Sequence, residues 1–228
     1  MNIPFTKMHG AGNDFIVLDQ LNVNYKLSSA QIKSLAHRQL GIGFDQLLIV
    51  EKSVLPSAEF KYRIFNSDGN EVEHCGNGAR CFFLFLKSSG ITNKKTIAVE
   101  TKSGVISLSF DADNLIAVNM GFAKNNFEEI PFFSEVNSKN IVSINNVDYP
   151  FYPISIGNPH AVIKLDSLDN IDFSLTGKQL QQSGSFPNSV NVGFLKIINK
   201  NEIALKVYER GSGLTLACGT GACAASII

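Results

Sequence analysis

The stretch Cys75-Gly76-Asn77-Gly78-Ala79 returns later in the chain as Cys218-Gly219-Thr220-Gly221-Ala222, 143 residues further on. Each copy follows a strand-like run and precedes a segment that is compatible with a helix. Because glycines allow a sharp turn and a close backbone approach, each cysteine is expected at or just before a helix N-terminus. The pair of motifs therefore predicts two similar strand-to-helix junctions, each with a thiol at the junction.

A second pair of motifs accompanies the first. Gly12-Asn13 precedes the run Phe15–Leu18, and Gly157-Asn158 precedes His160–Ile163, at an offset of 145 residues. Two pairs in one order and at nearly one offset indicate an internal repeat. The chain is therefore predicted to contain two homologous halves, residues 1–118 and 119–228.

Short runs rich in Ile, Val, Leu and Phe dominate the chain, with turn signals such as Ser67–Asn70 between them. The predicted strands are Phe15–Leu18, Gln46–Val50, Phe60–Phe65, Thr96–Thr101, Val105–Phe110, Leu115–Met120, Phe151–Ile156, Ala161–Leu165, Val192–Ile198 and Ile203–Tyr208. The predicted helices are Ser28–Gln39, Gly78–Lys87, Leu175–Gln182 and the stretch from Thr220. The polar stretch Lys124–Asn146 is predicted to be irregular. The expected class is α+β, with two pseudo-symmetric halves, each an antiparallel sheet curled around a central helix, and an active site in the cleft between them.

Composition narrows the function. The 228 residues are 44% hydrophobic, with 20 basic and 20 acidic side chains. A balanced charge gives no reason to expect nucleic acid or an anionic membrane as partner. No apolar run approaches the roughly 18 residues of a membrane span, and Met1–Asp14 shows no secretory signal. The protein is expected to be soluble and cytoplasmic, with its four cysteines as thiols rather than structural disulfides.

The two repeated cysteines suggest acid–base chemistry at carbon. A helix N-terminus favours the thiolate form of a cysteine, and its N–H groups can hold a carboxylate. A carboxylate held by Gly76, Asn77, Gly219 and Thr220 would place its α-carbon between two sulfurs. One thiolate would remove the α-proton and the other thiol would protonate the opposite face. The pairs Cys75/Cys81 and Cys218/Cys223 are spaced too widely for a typical zinc motif, so neither a metal nor a cofactor is predicted.

Four motifs in order resemble the diaminopimelate epimerase family. They are His9-Gly10-Ala11-Gly12-Asn13-Asp14-Phe15, Cys75-Gly76-Asn77-Gly78-Ala79-Arg80-Cys81, Gly157-Asn158-Pro159-His160, and Glu209-Arg210-Gly211 with Ala217-Cys218-Gly219-Thr220-Gly221-Ala222-Cys223. Proline racemases and the phenazine-pathway isomerase are similar in fold, but Asn77 favours the first family. The resemblance implies interconversion of LL- and meso-2,6-diaminoheptanedioate in lysine and peptidoglycan precursor synthesis. Family members continue beyond the second cysteine motif, so the resemblance also implies a longer chain.

The resemblance assigns roles by position. Cys75 and Cys218 match the catalytic pair, and His160 and Glu209 match positions that tune the cysteines. The positions that match substrate contacts are Asn13, Gln46, Asn66, Gly76, Asn77, Asn158, Asn191, Glu209, Arg210, Gly219 and Thr220. The implied partner is a small diamino diacid, and a homodimer is a further expectation.

Two other functions remain open from the residues alone. A related racemase acting on proline or hydroxyproline would share the thiol pair but would have no use for Glu209 and Arg210. A redox-responsive or ligand-binding relative would keep the cleft without removing an α-proton. Cys81 and Cys223 are expected to be packing residues.

Overall fold

The computed structural model describes residues 2–73, 75–133 and 139–228. The chain divides into two compact units, Met1–Met120 and Gly121–Ile228. Each unit builds one β-sheet and packs helices on it, which confirms the α+β class. No helix within these described ranges is both long and apolar enough to cross a lipid bilayer.

The first unit contains a mixed sheet. Its elements are β1 (Thr6–Gly10), β2 (Asn13–Asp19), α1 (Ser29–Ala36), β3 (Gln46–Lys52), β4 (Phe60–Asn66), β5 (Glu71–Val72), α2 (Gly76–Ser88), β6 (Thr96–Thr101), β7 (Gly104–Phe110) and β8 (Ile116–Asn119). The strand order is β1-β2-β3-β4-β6-β7-β8, and β5 pairs with β4. The pairs β2–β3 and β4–β6 are parallel and the others are antiparallel. The parallel pairs arise because a helix connects each pair of strands across the sheet face.

The second unit repeats this plan. Its elements are a 3-10 turn (Phe127–Glu129), β9 (Ile141–Ile144), β10 (Val147–Ser155), β11 (Pro159–Lys164), α3 (Phe173–Gln181), β12 (Asn191–Asn199), β13 (Glu202–Glu209), β14 (Gly213–Thr215) and α4 (Gly219–Ala225). The strand order is β14-β13-β12-β11-β10-β9, with β11 and β12 parallel. The prediction that residues 124–146 are irregular was wrong for its last part, because β9 lies there and pairs with β10. Residues 134–138 of this stretch lie outside the described residues.

The internal repeat extends to the register of the sheets. Phe15 lies opposite Gln46 in the parallel pair of the first unit, and His160 lies opposite Asn191 in the second. Both members of the first pair reappear 145 residues later. Across the next ladder, β5 pairs with β4 through Ile64 and Val72, and β14 pairs with β13 through Val207 and Thr215, 143 residues later. Equivalent positions of the two units therefore occupy equivalent points of their sheets.

Strands β2 and β3 are buried on both faces, which explains their continuous apolar runs. On one face Phe15, Val17, Leu48 and Val50 join the core around α2. On the other face Ile16, Leu18, Leu47 and Ile49 pack with α1. Helix α1 begins at a capping box, in which Ser28 and Gln31 satisfy each other's backbone N–H groups. The second unit has its own core of strands β9 to β12 and helix α3.

Candidate functional site

Cys75 is the N-cap residue of α2. Its backbone is extended, with φ −138° and ψ 122°, and the helix begins at the next residue. The Tyr62 hydroxyl donates a hydrogen bond to the Cys75 carbonyl oxygen at 3.3 Å. Burial, followed by the nearby charges of Cys75 and Cys81, holds the pKa of Tyr62 well above its usual range. Tyr62 therefore remains a neutral donor that fixes the backbone next to the thiol.

The second glycine of each cysteine motif serves packing on the sheet. A Cβ atom on Gly78 would lie 2.3 Å from the Tyr62 hydroxyl oxygen and 3.3 Å from Cε1 of Phe15. A Cβ atom on Gly221 would lie 3.0 Å from Cγ2 of Val207 and 3.3 Å from the Cys218 sulfur. Each glycine therefore lets its helix approach the strands closely enough to bring the cysteine onto the sheet.

Three polar residues of the first unit lie at or near strand ends. Asn13 begins β2, Gln46 begins β3 and Asn66 ends β4. The Gln46 Nε2 group donates to Oδ1 of Asn66 at 2.9 Å. The Asn13 Oδ1 and Gln46 Oε1 atoms are buried without a hydrogen-bond partner among the described residues. Since such atoms are costly to leave unpaired, they mark acceptors that a ligand donor would satisfy.

Asn77, in the first turn of α2, belongs to the same region. A Cβ atom on Gly10 would lie 3.4 Å from the Asn77 carbonyl oxygen, and Gly10 pairs directly with Asn13 in the β1–β2 ladder. The Asn77 side chain accepts a hydrogen bond from Arg80 at 2.5 Å. The first turn of α2, with Gly76 and Asn77, therefore lies against the turn that carries Asn13.

An ionic clamp holds the starts of β2 and β3 together. The backbone N–H of Asp14 donates to the Asp45 carboxylate at 3.0 Å, and that of Asp45 donates to the Asp14 carboxylate at 2.9 Å. Arg38 bonds both carboxylates, and Lys7 bonds Asp14 and the Gly43 carbonyl oxygen. Burial alone would raise the pKa of Asp14, but the hydrogen bonds from Arg38 and Lys7 hold it well below its usual range. The clamp fixes the neighbours of Asn13 and Gln46.

In the second unit, the predicted residues form one connected chain of contacts. Cys218 is the N-cap of α4, and its sulfur accepts from the Gly221 N–H at 3.4 Å and contacts the Thr220 hydroxyl at 3.5 Å. Asn158 donates from Nδ2 to the Thr220 hydroxyl at 3.3 Å. The Oδ1 atom of Asn158 lies 3.1 Å from Nε2 of His160, which is fully buried. His160 is thus linked to Cys218 through Asn158 and Thr220.

Glu209 extends this chain on the other side of the sulfur. Burial raises the pKa of the Glu209 carboxyl group, and hydrogen bonds with the side chains of Thr215 and Cys218 oppose that rise. The Thr215 hydroxyl donates to Oε1 of Glu209 at 2.5 Å. A carboxylate with this pKa direction, bonded to a thiol, is suited to accept a proton or to bind an ammonium group.

Asn191 fixes the backbone beside Glu209. Its Oδ1 atom accepts from the Arg210 backbone N–H at 2.9 Å, and its Nδ2 group donates to the Pro159 carbonyl oxygen at 3.3 Å. The Arg210 guanidinium donates to the Asn188 carbonyl oxygen at 3.2 Å. Asn191 therefore joins the end of β13 to the start of β11.

Sequence reasoning missed three contributors to this arrangement. Tyr62, the Arg38 clamp and Thr215 belong to none of the quoted cysteine or Gly-Asn motifs. Only Thr215 carried a usable signal, since its counterpart at the repeat offset is Val72 and the counterpart of Glu209 is Asn66. Within the described ranges, no three His, Cys, Asp or Glu side chains are grouped to hold a metal ion.

Comparison with known proteins gives a consistent result. The family model for diaminopimelate epimerase matches residues 5–125 and 152–228. A diaminopimelate epimerase of Nitrosospira multiformis is 46% identical over 228 residues, which cover 100% of this chain and 82% of that protein. One from a Psychrobacter species is 48% identical over 99% of this chain and 78% of that protein.

Solved structures show the same fold at low identity. A hydroxyproline epimerase of Agrobacterium vitis superposes with a TM-score of 0.70 at 11% identity, over 98% of this chain and 75% of that one. A probable proline racemase of Agrobacterium radiobacter gives 0.69 at 13% identity, over 96% and 74%. These likenesses concern the fold, whereas the family model and the full-length relatives concern descent. The chain belongs to the diaminopimelate epimerase family.

Proposed function

We propose that this protein interconverts LL- and meso-2,6-diaminoheptanedioate without pyridoxal phosphate or metal, with Cys75 and Cys218 as the two bases. One observation carries the proposal: equivalent helices of the two units each begin at a cysteine N-cap, in a chain of this family. A two-base epimerase needs two such groups of matched type, one for each face of the α-carbon.

The chemistry is balanced between the two sulfurs. One thiolate takes the α-proton, and the electron pair of the broken C–H bond passes to the neighbouring carboxylate as an enediolate. The other thiol gives its proton to the opposite face, which inverts the centre and leaves the first sulfur protonated. The N–H groups of Gly76, Asn77, Gly219 and Thr220 lie in first helical turns, where the helix itself provides no acceptor. They supply the donors that stabilise the negative charge as it develops.

The other polar groups suit a substrate that carries a second amino-acid group. Glu209 offers a carboxylate to an ammonium group, and the open acceptors on Asn13 and Gln46 offer neutral partners to N–H donors. Arg210 offers a guanidinium to the distal carboxylate, with Asn66, Asn158 and Asn191 as further hydrogen-bonding groups. A substrate with this chemistry belongs to lysine and peptidoglycan precursor synthesis, which we place in the cytoplasm.

The proposal is tested by incubating the reduced protein with LL-diaminopimelate in D₂O and following the α-proton by NMR. We expect loss of the α-proton signal and appearance of the meso isomer without added cofactor. The Cys75→Ala and Cys218→Ala variants should each lose at least ~100-fold in turnover, because each removes one acid–base group. Cys223→Ala is the matched control, since it changes a cysteine of the same helix, α4, and should retain turnover.

A folded, reduced protein that exchanges no α-proton would overturn the proposal. Proline and trans-4-hydroxyproline serve as comparison substrates. Faster exchange with either of them than with diaminopimelate would assign the thiol pair to a different amino acid.

A further inference from the structure

The two units differ in a correlated way at one ladder. In the first unit β4 ends at Asn66 and β5 carries Val72, and in the second unit β13 ends at Glu209 and β14 carries Thr215. Val72 lies opposite Ile64, and Thr215 lies opposite Val207, so the two ladders share one register. Where the repeat carries a carboxylate in place of an amide, the neighbouring strand carries a hydroxyl in place of a methyl group.

The register places Thr215 and Glu209 on one face of the ladder. Residues two apart on a strand point to the same side, so Glu209 shares a face with Val207 and hence with Thr215. The contact itself is the 2.5 Å hydrogen bond from the Thr215 hydroxyl to Oε1 of Glu209. The carboxylate lies between two side-chain donors, Thr215 on β14 and the Cys218 thiol at the start of α4.

The fold alone does not require a hydroxyl at this point. Val72 fills the equivalent place in the first unit, which shows that an apolar β-branched side chain fits the ladder. Valine and threonine are nearly equal in shape, so the hydroxyl adds a hydrogen bond and little else. Its partner is the half-buried Glu209 carboxylate.

We propose that Thr215 is a positioning residue, whose hydroxyl holds the Glu209 carboxylate in the orientation that meets the Cys218 side chain. The inference rests on the proposed function, because the role of Glu209 is to act beside Cys218 during proton transfer. Thr215 touches neither the substrate nor the sulfur in this account. It acts only through Glu209.

The first test compares two replacements of the same residue. Thr215→Val removes the hydroxyl and keeps the shape, and should lower kcat for diaminopimelate roughly tenfold, since hydrogen bonds to charged groups are stronger than neutral ones. The change in KM should be smaller than the change in kcat. Thr215→Ser keeps the hydroxyl and should restore most of kcat. Thr101→Val is the control, because it removes another buried threonine hydroxyl, on β6, which bonds the Gly104 carbonyl oxygen.

A kcat for Thr215→Val within about twofold of the parent would overturn the proposal. So would a Thr215→Ser variant as impaired as Thr215→Val, because shape and not the hydroxyl would then matter. A general loss of stability would lower activity in Thr101→Val as well.

A second readout does not depend on turnover. The carboxyl ¹³C signal of Glu209, assigned by its loss in Glu209→Gln, is titrated by NMR in each variant. In Thr215→Val the midpoint should move to higher pH, because a donor to the carboxylate is removed, and in Thr215→Ser it should return. The Cys218 thiol, the other titratable partner bonded to this carboxylate, is followed in the same titrations.

The two readouts separate two kinds of failure. If the parent protein exchanges no α-proton, the proposed function fails, and the titration still decides whether Thr215 controls Glu209. An unchanged Glu209 midpoint in Thr215→Val would overturn the positioning role even if turnover fell.

Discussion

Glu209 is a buried acid that the fold holds at a cost. Its raised pKa, caused first by burial, means that the folded chain retains the proton to a higher pH than the unfolded chain does. The protonated form therefore contributes stability that is fully present below the unfolded pKa of about 4.5 and is lost as the pH rises through the folded pKa. At neutral pH the ionised carboxylate is a net burden on the folded state, which is typical of functional sites.

Replacing Glu209 by Gln should expose this cost directly. Glu209→Gln should match the parent in stability near pH 4 and become the more stable protein as the pH rises toward 8, while its turnover falls about 100-fold. Urea unfolding at a series of pH values measures the free-energy difference. Glu202→Gln changes an exposed acid of the same strand, β13, and should stay within about 0.5 kcal/mol of the parent. A Glu209→Gln difference that is constant with pH would contradict the assignment of the burial cost to this carboxyl group.

Helix α2 depends on the close approach that Gly78 allows. Gly78→Ala should destabilise the first unit by about 2–3 kcal/mol, because the added Cβ would lie 2.3 Å from the Tyr62 hydroxyl oxygen in a filled core. Gly10→Ala is the matched control, since its Cβ would meet its neighbours at 3.4 Å or more, and it should change stability by less than about 1 kcal/mol. Chemical unfolding followed by tyrosine fluorescence compares the two variants. Equal losses would show that α2 moves easily on the sheet.

The elements predicted from sequence were those with strong apolar patterns. The runs Phe15–Leu18 and Gln46–Val50 became β2 and β3 because burial on both faces demands continuous apolar residues. Strands β1 and β9 were missed, since β1 is largely exposed and β9 lies in a polar stretch. The parallel pairing of β2 and β3 depends on the crossover through α1, which periodicity alone does not reveal.

The candidate site was predictable to a similar degree. Repetition and glycine spacing predicted that Cys75 and Cys218 begin helices, and the structure confirms both as N-caps. Thr215 and Tyr62 could not be found from motifs, because each acts through a single contact across strands. Register, and not local sequence, decides such contacts.

Each of the two units has a hydrophobic core of its own. Phe82 is fully buried in the core around α2, and Phe194 is fully buried in the core that includes α3. A unit with its own core has the main requirement for folding as a cooperative block.

This organisation predicts where a core defect will be felt. Phe82→Ala should cost about 3–5 kcal/mol and raise amide hydrogen exchange mainly in peptides from residues 2–120, and Phe194→Ala should do so mainly in residues 121–228. Hydrogen exchange with mass spectrometry measures both patterns on the intact chain. If either variant raised exchange equally in both ranges, the chain would unfold as one cooperative block. The internal repeat would then describe the ancestry of the two units and not their stability, because the free energy that protects each sheet would be shared by the whole protein.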